Sequence, residues 1–141
     1  MRIEGKCHCG NITYELEWPG DGTSIPVRVC NCSFCVKHGG NFTSHGDAKL
    51  TAVLHDESQV TRYKFGTETA EFHICARCGV VPLITSTIEG RLYGVVNVNC
   101  FEGIDRSCLS RAVADFHGET TESRLARRQR NWIPSVTISA P

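Results

Sequence analysis

The chain reads as a mainly β domain with one short helix near its C-terminus, and three observations predict this. Apolar and polar residues alternate through much of the sequence, the period of two that a half-buried strand shows. Turn residues cut that alternation into short runs, as at Pro19-Gly20-Asp21-Gly22 and Glu89-Gly90. One segment alone, residues 120–132, combines a capping residue, an early acid and late bases over a helical length.

In chain order, residues 11–18 (NITYELEW) place Ile12, Tyr14, Leu16 and Trp18 on one face of a strand. Residues 49–54, 60–65 and 71–75 read as short strands. Residues 80–99 read as two strands joined at Glu89-Gly90, with Pro82 near a strand start or bulge. Residues 111–116 alternate again. In residues 120–132, Thr120 suits the N-cap and Glu122 the first turn, and the late arginines suit the negative end of the helix dipole. Pro134 then stops the helix. With 141 residues and no long linker, the expectation is a single domain over residues 1–141, large enough for an ordinary core.

Composition narrows the function. Net charge is zero, whereas proteins built to grip phosphate backbones carry a basic excess, so nucleic acid is a poor candidate. The longest apolar run, Val80-Val81-Pro82-Leu83-Ile84, is far too short for a membrane helix. The opening residues have no export-signal layout, and the expectation is a soluble, cytoplasmic protein. Nine cysteines are a large excess. Their number is odd, and reducing cytosol disfavours disulfides, so metal binding is the better default.

Seven of those cysteines are grouped. Cys7-x-Cys9 and Cys75-x-x-Cys78 are each followed by glycine, Gly10 and Gly79. A glycine there lets the backbone fold back and aim amides at the sulfurs. Two such knuckles can meet at one metal, and four thiolates complete a tetrahedral structural zinc site. The alternative is four buried cysteines without a metal. Cys30, Cys32 and Cys35 form a second group, Cys-x-Cys-x-x-Cys. Three protein ligands and one exchangeable position is the arrangement of catalytic zinc. Three thiolates make an electron-rich zinc, suited to thiol ligation and transfer rather than water activation. Spacing leaves a closed site open as an alternative, with His38 as fourth ligand and His45, His55 and His73 behind it. A redox Cys32–Cys35 pair ranks third, because the βαβ context it would want is missing.

The motifs GKCHCGNITYEL, CNCSFCVKHGG, FHICARCGVVPL and VVNVNCFEGID, in this order, resemble the glutathione-dependent formaldehyde-activating enzyme family, which includes centromere protein V. The resemblance covers essentially the whole chain. It implies small antiparallel sheets coiled around zinc, as in methionine sulfoxide reductase B. It implies two zinc ions per chain, a structural one on Cys7, Cys9, Cys75 and Cys78 and a catalytic one on Cys30, Cys32 and Cys35. The implied activity is that of a carbon–sulfur lyase, the reversible addition of glutathione to formaldehyde. The implied partners are a small glutathione-like thiol and an aldehyde. In that chemistry His38 is a conceivable proton donor.

No residue of the chain identifies itself as a glutathione ligand. Arg62, Arg77, Arg91 and Arg111 are merely available cations, and Arg124–Arg130 (RLARRQR) reads as a solvated helix face. Cys100 and Cys108 read as small core residues, His8 as solvent-facing, Phe34 as packed beneath the cysteine loop, and Trp132 as the pin of the helix. The rival functions are a non-catalytic zinc-binding module for a protein partner and a reductase of oxidised sulfur. A cleft beside an open cysteine group would favour the enzyme. A second site closed by histidine would favour the module.

Overall fold

The computed structural model describes residues 1–141 and is mainly β, as the alternation predicts. Twelve strands and two helices follow in order. They are β1 (Arg2–Lys6), β2 (Ile12–Glu17), β3 (Ile25–Cys30), α1 (Ser33–His38), β4 (Asn41–Thr43), β5 (Lys49–Leu54) and β6 (Val60–Tyr63). Then come β7 (Glu71–Cys75), β8 (Leu83–Ile88), β9 (Arg91–Asn97), β10 (Phe101–Glu102), β11 (Leu109–Ala114), α2 (Thr121–Asn131) and β12 (Ser135–Ser139).

They form two sheets, ordered β10-β1-β2-β5-β12 and β11-β3-β4-β9-β8-β7-β6. Most pairings are antiparallel. Two are parallel, β12 against β5 and β11 against β3, and both bring a late strand to a sheet edge. The alternation of residues 11–18 does what its period requires: Ile12, Tyr14, Leu16 and Trp18 are all buried. They join Ile3, Leu50, Leu54, Leu83, Val96 and Ile133 in the larger core. Each fully buried aliphatic side chain contributes about 1.5–3 kcal/mol. A second, smaller core holds Phe42, Phe72, Val81, Ile84, Val95 and Trp132.

Two elements matter for the site. The short helix α1 starts where the Cys32 sulfur accepts the Cys35 amide and stops at Gly39, whose φ of 79° is open to glycine at no steric cost. The sequence reading expected one helix only, the later one, and assigned no element here, because six residues are too few to show helical periodicity. The longer helix α2 is where the sequence placed it. Its Thr120 Oγ1 accepts the Ser123 amide at 3.0 Å, and Ser123 Oγ accepts the Thr120 amide at 3.0 Å. After Trp132, Ile133 exchanges backbone hydrogen bonds with Gly94 of β9, which ties the end of α2 to the seven-stranded sheet.

Candidate metal centre and cavity

Cys7 opens the turn after β1, and Cys75 closes β7. The fold brings these two knuckles together across a gap of 66 residues, with Sγ–Sγ distances of 3.8 Å for Cys7–Cys9 and 3.4 Å for Cys9–Cys75. All four sulfurs lie within 4.8 Å of one another. Zinc–sulfur bonds of about 2.3 Å at tetrahedral angles put sulfurs about 3.8 Å apart, so the donor set fits a closed zinc site. Gly10 and Gly79 take φ of 84° and 79°, as a fold-back turn after each cysteine pair requires. The Ile12 amide donates to Cys7 Sγ at 3.3 Å. Burial pushes the Cys7 and Cys75 thiols up, while Cys78 is held down, against burial, by the amides of Cys9 and Val80. Cys7 and Cys75 sit inside the larger core, so this cluster is part of its packing.

The second group is built by the end of β3 and the start of α1. Cys30, Cys32 and Cys35 again have their sulfurs within 4.8 Å of one another, and no histidine or carboxylate joins them. The Cys35 thiol hydrogen-bonds Cys30 and holds it well below the usual thiol range, and Cys35 rises in return. The donor set could hold a zinc ion through three of its four usual ligands.

His38 does not supply that fourth ligand. Its ring stacks on Phe34 with centroids 5.3 Å apart, and burial lowers its pKa. The other histidine candidates are engaged elsewhere. His45 packs edge-on to Trp18, His55 Nε2 meets Thr13 Oγ1 at 3.0 Å, and buried His73 meets Thr85 Oγ1 at 2.7 Å. His8 is exposed, as expected. Cys100 is buried and Cys108 half-buried, both packed in or against the larger core. Phe34 packs, as expected, in an aromatic cluster with Tyr63, Phe65 and Phe72.

Beside the cysteine triad lies a cavity of about 150 Å³. Cys30, Cys32 and Cys35 are among the residues that line it. Its walls are largely apolar, with Phe42, Phe65, Phe72, Phe116 and Trp132 the main surfaces. Four arginines also line it: Arg28, Arg124, Arg127 and Arg128. The last three correct the reading of α2 as a solvated charge run. Spacings of three and four residues put Arg124, Arg127, Arg128 and Trp132 on one face, and that face is turned to the protein. Arg128 is buried, and its guanidinium lies 4.9 Å from the Trp132 ring centre. Arg127 lies 3.7 Å over the Phe116 ring and makes a two-pronged pair with Glu119, at 2.8 and 3.1 Å. Arg28 donates to Ser44 Oγ at 2.9 Å, and Ser44 Oγ donates to the Asn131 carbonyl at 2.8 Å, which joins β3 to the end of α2. Three of the four cations named from sequence are engaged at other places, and Arg111 is exposed on β11. Arg62 pairs with Glu57, Arg77 with Asp56, and Arg91 donates to the Pro134 carbonyl. His117 also lines the cavity, with Nδ1 3.0 Å from Asp115.

Residues 2–116 match the family model described as glutathione-dependent formaldehyde-activating enzyme. A Halomonas elongata protein named "Putative glutathione-dependent formaldehyde-activating enzyme" is 34% identical over 86 residues, 55% of this chain. The chain spans about half, 52%, of that relative's length. A crystal structure of a Rhodobacter sphaeroides protein is similar in fold, with a TM-score of 0.53 and 29% identity over 72% of this chain and 90% of that one.

Proposed function

The chain belongs to the glutathione-dependent formaldehyde-activating enzyme family, and from that premise we propose that it is a zinc-dependent carbon–sulfur lyase acting on a thiol–aldehyde adduct of the S-hydroxymethylglutathione type. In this reading Cys7, Cys9, Cys75 and Cys78 hold a structural zinc, and Cys30, Cys32 and Cys35 hold the catalytic one. The observation that carries it is the cavity opening onto the three-cysteine group. A closed binding module has no use for a pocket at that place.

Zinc bound by three thiolates would lower the pKa of a thiol reaching its fourth position, so that the thiolate exists at neutral pH. The chain does the rest. Cys30, Cys32 and Cys35 fix where the sulfur sits. Phe42, Phe72 and Trp132 exclude water and hold the carbonyl carbon near it. The thiol gives up its proton, a carbon–sulfur bond forms, and the carbonyl electron pair moves to oxygen, which takes a proton. His117 is the histidine positioned on the cavity wall to exchange that proton; His38 is not among the wall residues. The reverse sequence breaks the same bond and releases the aldehyde. No helix is long and apolar enough to cross a membrane, which suits an enzyme acting in the cytoplasm.

The test is exchange spectroscopy by NMR on glutathione and formaldehyde with zinc-loaded protein. The reading expects adduct exchange faster than in protein-free buffer, with the gain lost in Cys32→Ser. It fails if the parent carries two zinc ions and exchange proceeds at the buffer rate.

A further inference from the structure

Two of the arginines in the cavity lack an acidic partner, Arg128 buried and Arg28 half-buried. Arg28 meets only Ser44 Oγ. Arg128 is 7% exposed, and its Nη1 donates to the Thr69 carbonyl, Thr69 Oγ1 and Ser86 Oγ, all neutral. The Nε of Arg128 is buried with no hydrogen-bond partner. An isolated buried charge is costly unless something opposite in sign meets it. Burial lowers both guanidinium pKa values to about 10, yet both stay charged at neutral pH.

The charge available inside the chain does not cover them. Glu119 answers one of the four guanidinium charges, through Arg124 and Arg127. Three thiolates holding a zinc ion would carry one net negative charge and would answer another. Two remain, at a cavity whose walls are otherwise largely apolar. The size completes the description: an apolar cavity of about 150 Å³ accommodates a benzene-sized body.

We propose that the cavity is a recognition site for a small carboxylic acid with a phenyl-sized apolar body, its carboxylate held by Arg28 and Arg128 and its body stacked among Phe42, Phe72 and Trp132. This deepens the lyase reading and rests on it for which end reacts: the acid is the part of the adduct that reaches past the cysteine triad. A guanidinium offers a planar pair of donors that matches a carboxylate, and Arg28 and Arg128 are the two cavity-lining arginines that no carboxylate of the chain meets.

The experiment is a titration of the zinc-containing protein with phenylacetate, phenylacetamide, inorganic phosphate and glutathione, followed by tryptophan emission. Trp132 lines the cavity and reports; Trp18 does not line it and gives a constant background. The proposal expects phenylacetate to bind at least about tenfold tighter than phenylacetamide, the value of a hydrogen bond to a charged group. It expects phosphate to compete poorly, and Arg128→Met and Arg28→Met each to weaken phenylacetate by about tenfold or more. The comparison of acid with amide uses the parent alone and stands if either variant fails to fold. Equal binding of acid and amide overturns the proposal, and so does equal competition by phosphate. Binding of glutathione without phenylacetate overturns it and leaves the lyase reading intact. Phenylacetate binding by a protein that does not accelerate adduct exchange upholds the site and removes the lyase.

Discussion

Cys9→Ser and Cys32→Ser remove one sulfur each, but they should not cost the same stability. The first cluster joins parts of the chain 66 residues apart. The second joins residues only five apart, Cys30 and Cys35, which β3 and α1 already hold together. Cross-link stabilisation grows as (3/2)RT ln n with the loop closed, so the ratio of the two lengths is worth about 2.3 kcal/mol. The constant in that relation cancels between the variants. Unfolding a chain of this size has an entropy near 0.3 kcal/mol/K, which converts the difference to about 8 °C in Tm. Cys9 is exposed and Cys32 half-buried, so neither serine leaves a large cavity to confuse the comparison. Scanning calorimetry at fixed excess zinc, with metal content measured on the same samples, reads the result. Each variant should retain one zinc, with Cys9→Ser melting lower by several degrees. If Cys32→Ser melts as low as Cys9→Ser or lower, the triad is the structural cluster and the division of roles is wrong.

Other perturbations test the frame around the site. Gly5→Ala would drive a Cβ into the Tyr14 ring, whose hydroxyl donates to the Asn97 carbonyl at 3.0 Å. Urea denaturation should show a loss of about 1–3 kcal/mol at unchanged m-value. Trp132→Ala empties a buried site of the second core and should cost about 3–5 kcal/mol, with loss of helical circular dichroism before the sheet signal. Glu119→Gln tests the tie between the loop before α2 and its arginines. Hydrogen bonds from Arg127 hold the Glu119 carboxyl below its ordinary value, so the folded state keeps it ionised more readily than the unfolded state does. That contribution is fully present above the ordinary carboxylate range and is lost as pH falls through the lowered value. The parent's Tm should therefore fall with acidification below about pH 4.5 more steeply than that of Glu119→Gln; parallel acid limbs would refute the link.

How much the sequence disclosed depended on the range of the interaction involved. The strand at residues 11–18 and the hairpin across Glu89-Gly90 declared themselves because alternation and turn chemistry act between near neighbours. The cysteine groups were legible for the same reason, and the fold assembles both. The strand β1 was missed because Gly5 carries no side chain to mark the buried face. Pro26 and a cysteine read only as a ligand hid β3, and β12 depends on parallel docking against β5, a distant partner. The arginine face was the largest omission. The spacing of Arg124, Arg128 and Trp132 was visible, but a run of bases is ordinarily a solvated face. Only the docking of Trp132 shows that this face turns inward.

The two cysteine groups sit in different cores, and the residues lining the cavity come from two parts of the chain. Cys30, Cys32, Cys35 and Arg28 lie within residues 2–116, the part that matches the family model. Arg124, Arg127, Arg128 and Trp132 lie beyond it, on and after α2. On the proposed reading, the thiol chemistry is supplied by the matched part and the choice of acid largely by the segment that follows. The geometry allows such a separation, because α2 touches the cavity through one helical stripe and is held in place by contacts away from the cysteines: Ser44 with Asn131, and Gly94 with Ile133. Replacing Arg128 should therefore change which adduct is bound while zinc content stays the same, whereas replacing Cys32 should change zinc content first. Zinc analysis and phenylacetate titration on the same pair of variants separate the two contributions, and loss of zinc from Arg128→Met would show that they are one.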